Sequence, residues 1–427
     1  MGNSSMSVTP SAARLTGSLR DIGYDFSSAI ADLIDNSITA GASRIDVIVE
    51  FAGESSRVFI ADDGIGMTPN GLIEALRFGS RRLYGMGDLG RYGLGLKTAS
   101  LSQSRSLTVV TRRAQGKRLI HTRQLDLDLI AELDDWLVVE PSRTEAVGRA
   151  RRMLEDSQGT VVVWEKLDRV LPEKNSAGGW ARRRIETLTQ KTEDHLAMVF
   201  HRFLDDNAIE RKLTITVNGK KLSPWDPFAT SEPGTKALPL QRFEIVHGEV
   251  SGWVSLRRYV LPGRDRFSSP SEFDRLSGPL KWNRQQGIYT YRANRLVQWG
   301  GWSGIRGIDE HTKLARASID FDTDLDEAFN INVAKMRVSI PPQLRQMLER
   351  PINEVCMLAD DTYRKTAKRR GRRSAPTSDG DASVQNVAEF GLALKSAAVQ
   401  AGEYAALKKI AAELRSSMPD VASSLGL

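Results

Sequence analysis

The sequence predicts an α/β protein: a two-layer α/β sandwich, then a second α/β unit, then a helical tail. Three observations predict it. Apolar residues alternate in short runs such as "RIDVIVEF" (44–51), glycine-rich loops follow those runs, and the last forty residues are alanine-rich with helical composition. With 427 residues, 40% hydrophobic and 26% charged, the chain can bury sizeable cores in two or three domains. It has no apolar run of 18 or more residues, and "MGNSSMSVTP" lacks the basic-then-apolar order of a secretory signal. No membrane partner is therefore expected, and a cytoplasmic location is. "MGNSSMS" nominally fits an N-myristoylation pattern but is read as a loose terminus. The single cysteine, Cys356, excludes an internal disulfide and any cysteine-cluster zinc site, which suits a reducing compartment.

Taken in order, residues 10–42 read as helix. Within it, "AIADLIDNSITAGA" (29–42) sets Asp32 and Asn36 on one face and Phe26, Ile30, Leu33 and Ile34 on the other, so the polar groups are expected to point away from the core. "RIDVIVEF" and "SRVFIADDG" read as two strands joined near Gly53, and a glycine-punctuated segment runs to about Gly95. "LKTASLSQS" reads as helix, and "SLTVVTRR", "KRLIHTRQL" and "GTVVVWEKL" as strands, with no linker before about residue 170. This gives a first domain over 1–170. A helix over "RRRIETLTQKTEDHLAMVFHRFL" opens the second unit, 171–363, whose strands are expected to include "KLTITVNGKKL", with its Asn218-Gly219 hairpin signal, and "GIYTYRANRLVQW". Residues 364–383, from the basic run "RKTAKRRGRR" through "SAPTSDGDAS", read as a flexible linker, and 384–427 as a helical segment.

The formal charge of +7 and a pI near 9.4 favour a polyanionic partner, most often nucleic acid. Basic pairs recur along the chain, but the run at 364–373 is the densest. DNA binding through it would be non-specific and salt-sensitive.

Three short elements carry chemistry. "ADDGIGM" (61–67) puts an acid at a strand end, where its carboxylate can accept from an exocyclic amine, and follows it with glycines that let a flat base approach the backbone. "GRYGLGLKTAS" (90–100) places Gly90, Gly93 and Gly95 just before a helix, whose amide donors and positive dipole end suit phosphates. The opening helix supplies Asp32 and Asn36.

In that order, and with a late "GT" strand at 159–160, these elements resemble the GHKL ATPase superfamily (gyrase, heat-shock chaperone, histidine kinase and MutL) over roughly residues 12–167. The resemblance implies the Bergerat-type fold, with ATP and Mg2+ as cofactors. It makes Asn36 the magnesium ligand and Asp62 the acceptor of the adenine amine. Gly64, Gly66 and Met67 would shape the adenine pocket, and about 69–90 would be the ATP lid. Gly90, Gly93, Leu94, Gly95 and Leu96 would lie at the phosphates, and Thr160 would reach the adenine edge. Lys97 would face phosphate or point to solvent. Asp32 stands where hydrolytic members of the superfamily carry a glutamate, four residues before the asparagine, and would polarise the attacking water; aspartate is shorter by a methylene, so slow hydrolysis is expected. Asp35 would support the magnesium shell through water or act structurally.

"YTYRANRLVQWGGW" (289–302) and "FNINVAKMRVSIP" (329–341) resemble the transducer domain, of ribosomal S5-like fold, in the Microrchidia and MutL branch, where a loop lysine reaches the γ-phosphate. Lys335 is that lysine here, and it would link ATP state to domain angle. The cysteine count excludes the zinc modules of eukaryotic Microrchidia proteins, leaving a likeness to compact bacterial relatives linked with restriction or phage defence. The resemblance thus implies an ATPase that closes its lid, forms an ATP-dependent homodimer and acts on DNA or on a nuclease or helicase partner. A non-hydrolysing ATP sensor and a small client-binding chaperone are the alternatives.

Overall fold

The computed structural model describes residues 10–21, 23–79, 94–113, 119–172, 176–206, 212–331 and 338–373, and parts of 394–425. In chain order the first part contains α1 (Ala12–Leu19), α2 (Phe26–Thr39), β1 (Arg44–Glu50), β2 (Arg57–Asp62), α3 (Pro69–Leu76), α4 (Gly95–Leu101), β3 (Ser106–Arg112), β4 (His121–Asp126), α5 (Leu127–Leu133), α6 (Glu145–Arg152), β5 (Gly159–Glu165), α7 (Gly179–Val199), α8 (His201–Leu204), β6 (Thr214–Val217) and β7 (Lys220–Lys221). The second part contains β8 (Lys236–Ala237), β9 (Gln241–His247), β10 (Val250–Val260), α9 (Pro270–Leu276), α10 (Lys281–Gln285), β11 (Gly287–Arg292), β12 (Arg295–Trp299), β13 (Ala315–Phe321) and α11 (Pro342–Arg373). Beyond it lies α12 (Tyr404–Ser417).

The first sheet has seven strands in the order β4-β3-β5-β2-β1-β6-β7. Its main core lies under α2, α4 and α7, where Val47, Ile60, Val109 and Trp164 meet Ile30, Leu33, Ala99 and Leu196. Period-2 alternation sends Phe59, Val110, Val161 and Val163 to the other face, where Ala146, Ala150 and Leu154 of the α6 region cover them. The α/β sandwich is as expected, with α6 added on the second face. The continuous helix read over 10–42 is broken in two. The Asp25 side chain caps α2 by accepting from the Ser28 amide at 2.9 Å, and Gly23 before it has φ +91°.

β6 and β7 correct the strand grouping expected from sequence. Residues 214–221 join the first sheet, β6 pairing parallel to β1 (Arg44↔Thr214 to Val47↔Val217). Ile215 and Val217 point into the first core, and the Asn218 side chain accepts from the Val49 amide at 2.8 Å. The Asn218-Gly219 turn does form, with φ +48° and +80°. The hairpin signal was sound; a local signal carries no information about which sheet edge receives the hairpin.

The second sheet runs β12-β11-β13-β10-β8, with β9 also paired to β10. Leu344, Leu348, Ile352, Val355 and Ala359, a helical stripe on α11, join its core. The α11 backbone continues as helix through Arg373, so the expected linker start at 364 falls inside a helix. Among the described residues no helix is long and apolar enough to cross a membrane.

Candidate functional site

Helix α2 is buried on nearly all sides, which corrects the expectation that its polar face looks outward. Asp32 and Asp35 are buried, and Asn36 is exposed. Helix α4 covers Asp32: a Cβ added at Gly95 would lie 2.4 Å from Asp32 Oδ2, so the start of α4 can approach this closely only with glycine there. The Tyr24 hydroxyl donates to Asp32 Oδ2 at 3.1 Å. Burial, and next the Asp32 charge, push the Tyr24 phenol well above its usual range, so it stays a donor.

Asp35 is fully buried and receives Arg295 Nε at 2.8 Å from the first residue of β12. It is thus tied to the second sheet. Asn36, next in the chain, occupies the open corner of the same turn.

Asp62 ends β2. Ser37 Oγ donates to its Oδ2 at 2.9 Å, and the Gly64 amide to its Oδ1 at 2.9 Å. Burial raises its pKa to about 6, against the pull of these bonds. No cation is among these partners. The turn after Asp62 is fixed by backbone packing. Gly66 has φ +63°, and an added Cβ there would lie 2.2 Å from the Arg112 carbonyl oxygen. The Met67 amide donates to Thr111 Oγ1 at 2.9 Å, Thr111 Oγ1 donates to the Gly159 carbonyl at 3.0 Å, and the Thr160 hydroxyl lies 3.2 Å from Thr111 Oγ1. Thr111 has one hydroxyl proton, so in this arrangement Thr160 donates to it.

Lys97 is buried, and its Nζ donates to the Ala75 carbonyl of α3 at 3.0 Å. The solvent-facing alternative is therefore corrected. Burial lowers its pKa to about 8, and Glu74 acts in the opposite sense. Leu94 precedes α4, and Leu96 lies in its first turn. Gly90, Gly93 and Lys335 lie outside the described residues.

The structure therefore gathers Asp62, Gly64, Gly66, Met67 and Thr160 at the end of β2, ties that group to α2 through Ser37, and sets Gly95 against Asp32, one turn from Asn36. Sequence reasoning missed Tyr24, Ser37, Thr111 and Arg295 as members of this group. Of these, Ser37 and Arg295 lay in stretches already singled out, each without a partner to mark it, and the acidic partner of Arg295 stands 260 positions away.

Residues 24–160 match the family of histidine kinase-, DNA gyrase B- and HSP90-like ATPases. Residues 24–160 are a GHKL ATPase domain. This GHKL domain is of the Microrchidia/MutL-like type. ATPase MORC2B of Mus musculus is 31% identical over 119 residues, covering 25% of this chain and 12% of that protein. DNA mismatch repair protein MutL of Halobacterium salinarum (strain ATCC 29341 / DSM 671 / R1) is 39% identical over 92 residues, 20% of this chain and 14% of its own. MORC family CW-type zinc finger protein 1 of Homo sapiens is 28% identical over 122 residues, 26% of this chain and 12% of its own. The chain thus spans 12% to 14% of the length of these curated relatives.

GHKL domains bind ATP, commonly with magnesium, and the residues present fit both. A carboxylate desolvated among neutral donors is an acceptor suited to an amine. Asn36 offers a hard amide oxygen at an exposed corner. Among the described residues no group of three or more His, Cys, Asp or Glu side chains is placed to hold a metal ion. A magnesium ion here would take most of its ligands from phosphate and water, as magnesium does beside nucleotides.

Proposed function

We propose that the chain binds magnesium-ATP at the exposed corner of α2, hydrolyses it slowly, and uses the nucleotide-bound state to act on DNA or on a DNA-acting partner. The observation that carries this reading is the seating of Asp32. Its carboxylate lies against the start of α4, one helical turn from Asn36 and on the helix whose Ser37 orients Asp62. Asp62 accepts the adenine amine, Gly64, Gly66 and Met67 floor the base, and Thr160 lines its edge. Asn36 would hold magnesium, which would supply charge neutralisation to the triphosphate. The backbone around Leu94, Gly95 and Leu96 receives the phosphates, and the resemblance assigns Gly90 and Gly93 to them as well. Asp32 takes a proton from the attacking water, with Tyr24 holding the carboxylate in place. Lys97 anchors α4 to α3.

The second sheet serves as a transducer, and Lys335 meets the γ-phosphate. The protein forms an ATP-dependent homodimer and works beside a nuclease or helicase partner, in restriction or phage defence. These finer points rest on the resemblance to MutL and Microrchidia proteins, and for DNA also on the net charge of +7.

Single-turnover hydrolysis, with and without duplex DNA, tests the reading. Asp32→Asn preserves shape and deletes the base, so it should retain ATP affinity and lose about 100-fold or more in rate. Equal rates for variant and wild type would remove Asp32 from the chemistry. The ATP-sensor reading draws on the short reach of Asp32 and its Tyr24 contact. Asp32→Glu separates the two: a faster variant means that reach limits an enzyme, and an inactive one alongside an inactive wild type favours the sensor.

A further inference from the structure

The β11–β12 hairpin turns through Ala293 and Asn294, both at positive φ (+44° and +66°), so Arg292 and Arg295 face each other across the strands. Like charges directly opposite repel. Each is neutralised by an acid from a different part of the chain. Arg292 donates Nε to Asp326 Oδ1 at 2.6 Å and a second nitrogen to Oδ2 at 2.8 Å. Arg295, 5.8 Å from the Phe200 ring centre, reaches past α7 to Asp35. All four side chains are buried, with exposures of 6% or less. Asp35 lies between Asp32 and Asn36 on α2, and Asp326 lies in the segment that leads to residues 332–337. One tight turn thus grips both the nucleotide-facing turn of α2 and the approach to the Lys335 segment.

We propose that Arg295 is a positioning residue: its ion pair with Asp35 sets the α2 turn that presents Asn36 and Asp32, and it passes the occupancy of that turn to the second sheet. The inference rests on the ATP-binding reading above. A shift of α2 would pull Asp35 from the Arg295 guanidinium and break a buried ion pair, a costly rupture that the hairpin avoids by following α2. This gives the two sheets a mechanical link independent of Lys335.

Hydrogen exchange of the full chain, with and without magnesium and the β,γ-imido analogue of ATP, tests it. In the wild type the analogue should slow exchange in 33–40 and in 287–299. In Arg295→Gln it should still slow 33–40, while the slowing at 287–299 falls by about 5-fold or more, the lower range of coupling between sites. Asp35→Asn/Arg295→Gln removes both charges, should melt close to the wild type, and should remain uncoupled; it carries the test should the single variant unfold. Unchanged slowing at 287–299 in Arg295→Gln, or its return in the double variant, overturns the proposal. No slowing at 33–40 in the wild type overturns the ATP-binding reading and this one with it. Slowing at 33–40 that is indifferent to Arg295 at 287–299 overturns only this one.

Discussion

Two carboxylates near the open corner of α2 are held in opposite ways. Asp35 is matched by a guanidinium at 2.8 Å, so the fold itself supplies its counter-charge. Asp62, among the described residues, is met by the Ser37 hydroxyl and the Gly64 amide, both neutral, and its pKa is raised to about 6. On the proposed function, the difference separates a joint from a receptor. A charge whose partner is built in holds elements together, whereas an acceptor kept among neutral donors is under-satisfied until a ligand brings a donor.

The comparison breaks most severely at the joint. Asp35→Ala leaves Arg295 buried beside Arg292, and should cost about 3–5 kcal/mol in urea unfolding, the range for removing one partner of a buried pair. A cost no greater than that of an exposed pair would mean that water reaches Arg295. At the receptor, Asp62→Asn should lose about 2 kcal/mol of ATP affinity by calorimetry, since amide donors then face an amine. The same substitution removes a desolvated charge, so the nucleotide-free variant should melt no lower than the wild type at pH 7. A large loss of melting temperature would turn Asp62 into a second joint.

The smallest effect is that of pH, and it has two signs. The folded pKa of Asp62, about 6, lies above its ordinary value of 3.8, so its contribution to stability is fully present below about pH 4 and lost as pH rises through 6. ATP affinity runs the other way, because the amine needs the ionised acceptor. From pH 7 to 5 the affinity should fall about tenfold, one unit below the pKa. Calorimetry on the wild type and Asp62→Asn checks this, and an equal pH dependence in both would assign the titration to another group.

Much of the proposed receptor is read from the sequence alone, because its parts are local: an acid at a strand end, glycines two apart after it, and an asparagine one turn beyond an acid. What escaped was set by tertiary contact. A helical wheel separates two faces, yet α2 is enclosed by the sheet, α4, α7 and β12, so Asp32 and Asp35 lie inside. Ser37 and Thr111 are common residue types whose role appears only when they meet Asp62 and Met67. Lys97 reads as a helix-start lysine until α3 offers it the Ala75 carbonyl.

The parallel seam between β1 and β6 has a consequence for synthesis. Arg44 waits for Thr214, about 170 residues later, before its strand is flanked on both sides. At ordinary elongation rates that is roughly 10–30 s, during which the Ile45–Val47–Val49 strand keeps one unpaired backbone edge on the ribosome. A fragment cut near residue 170 would keep that edge permanently, an invitation to strand-to-strand aggregation. Expression of the nucleotide-binding part alone should therefore extend past Leu222, so that the chain closes its own seam.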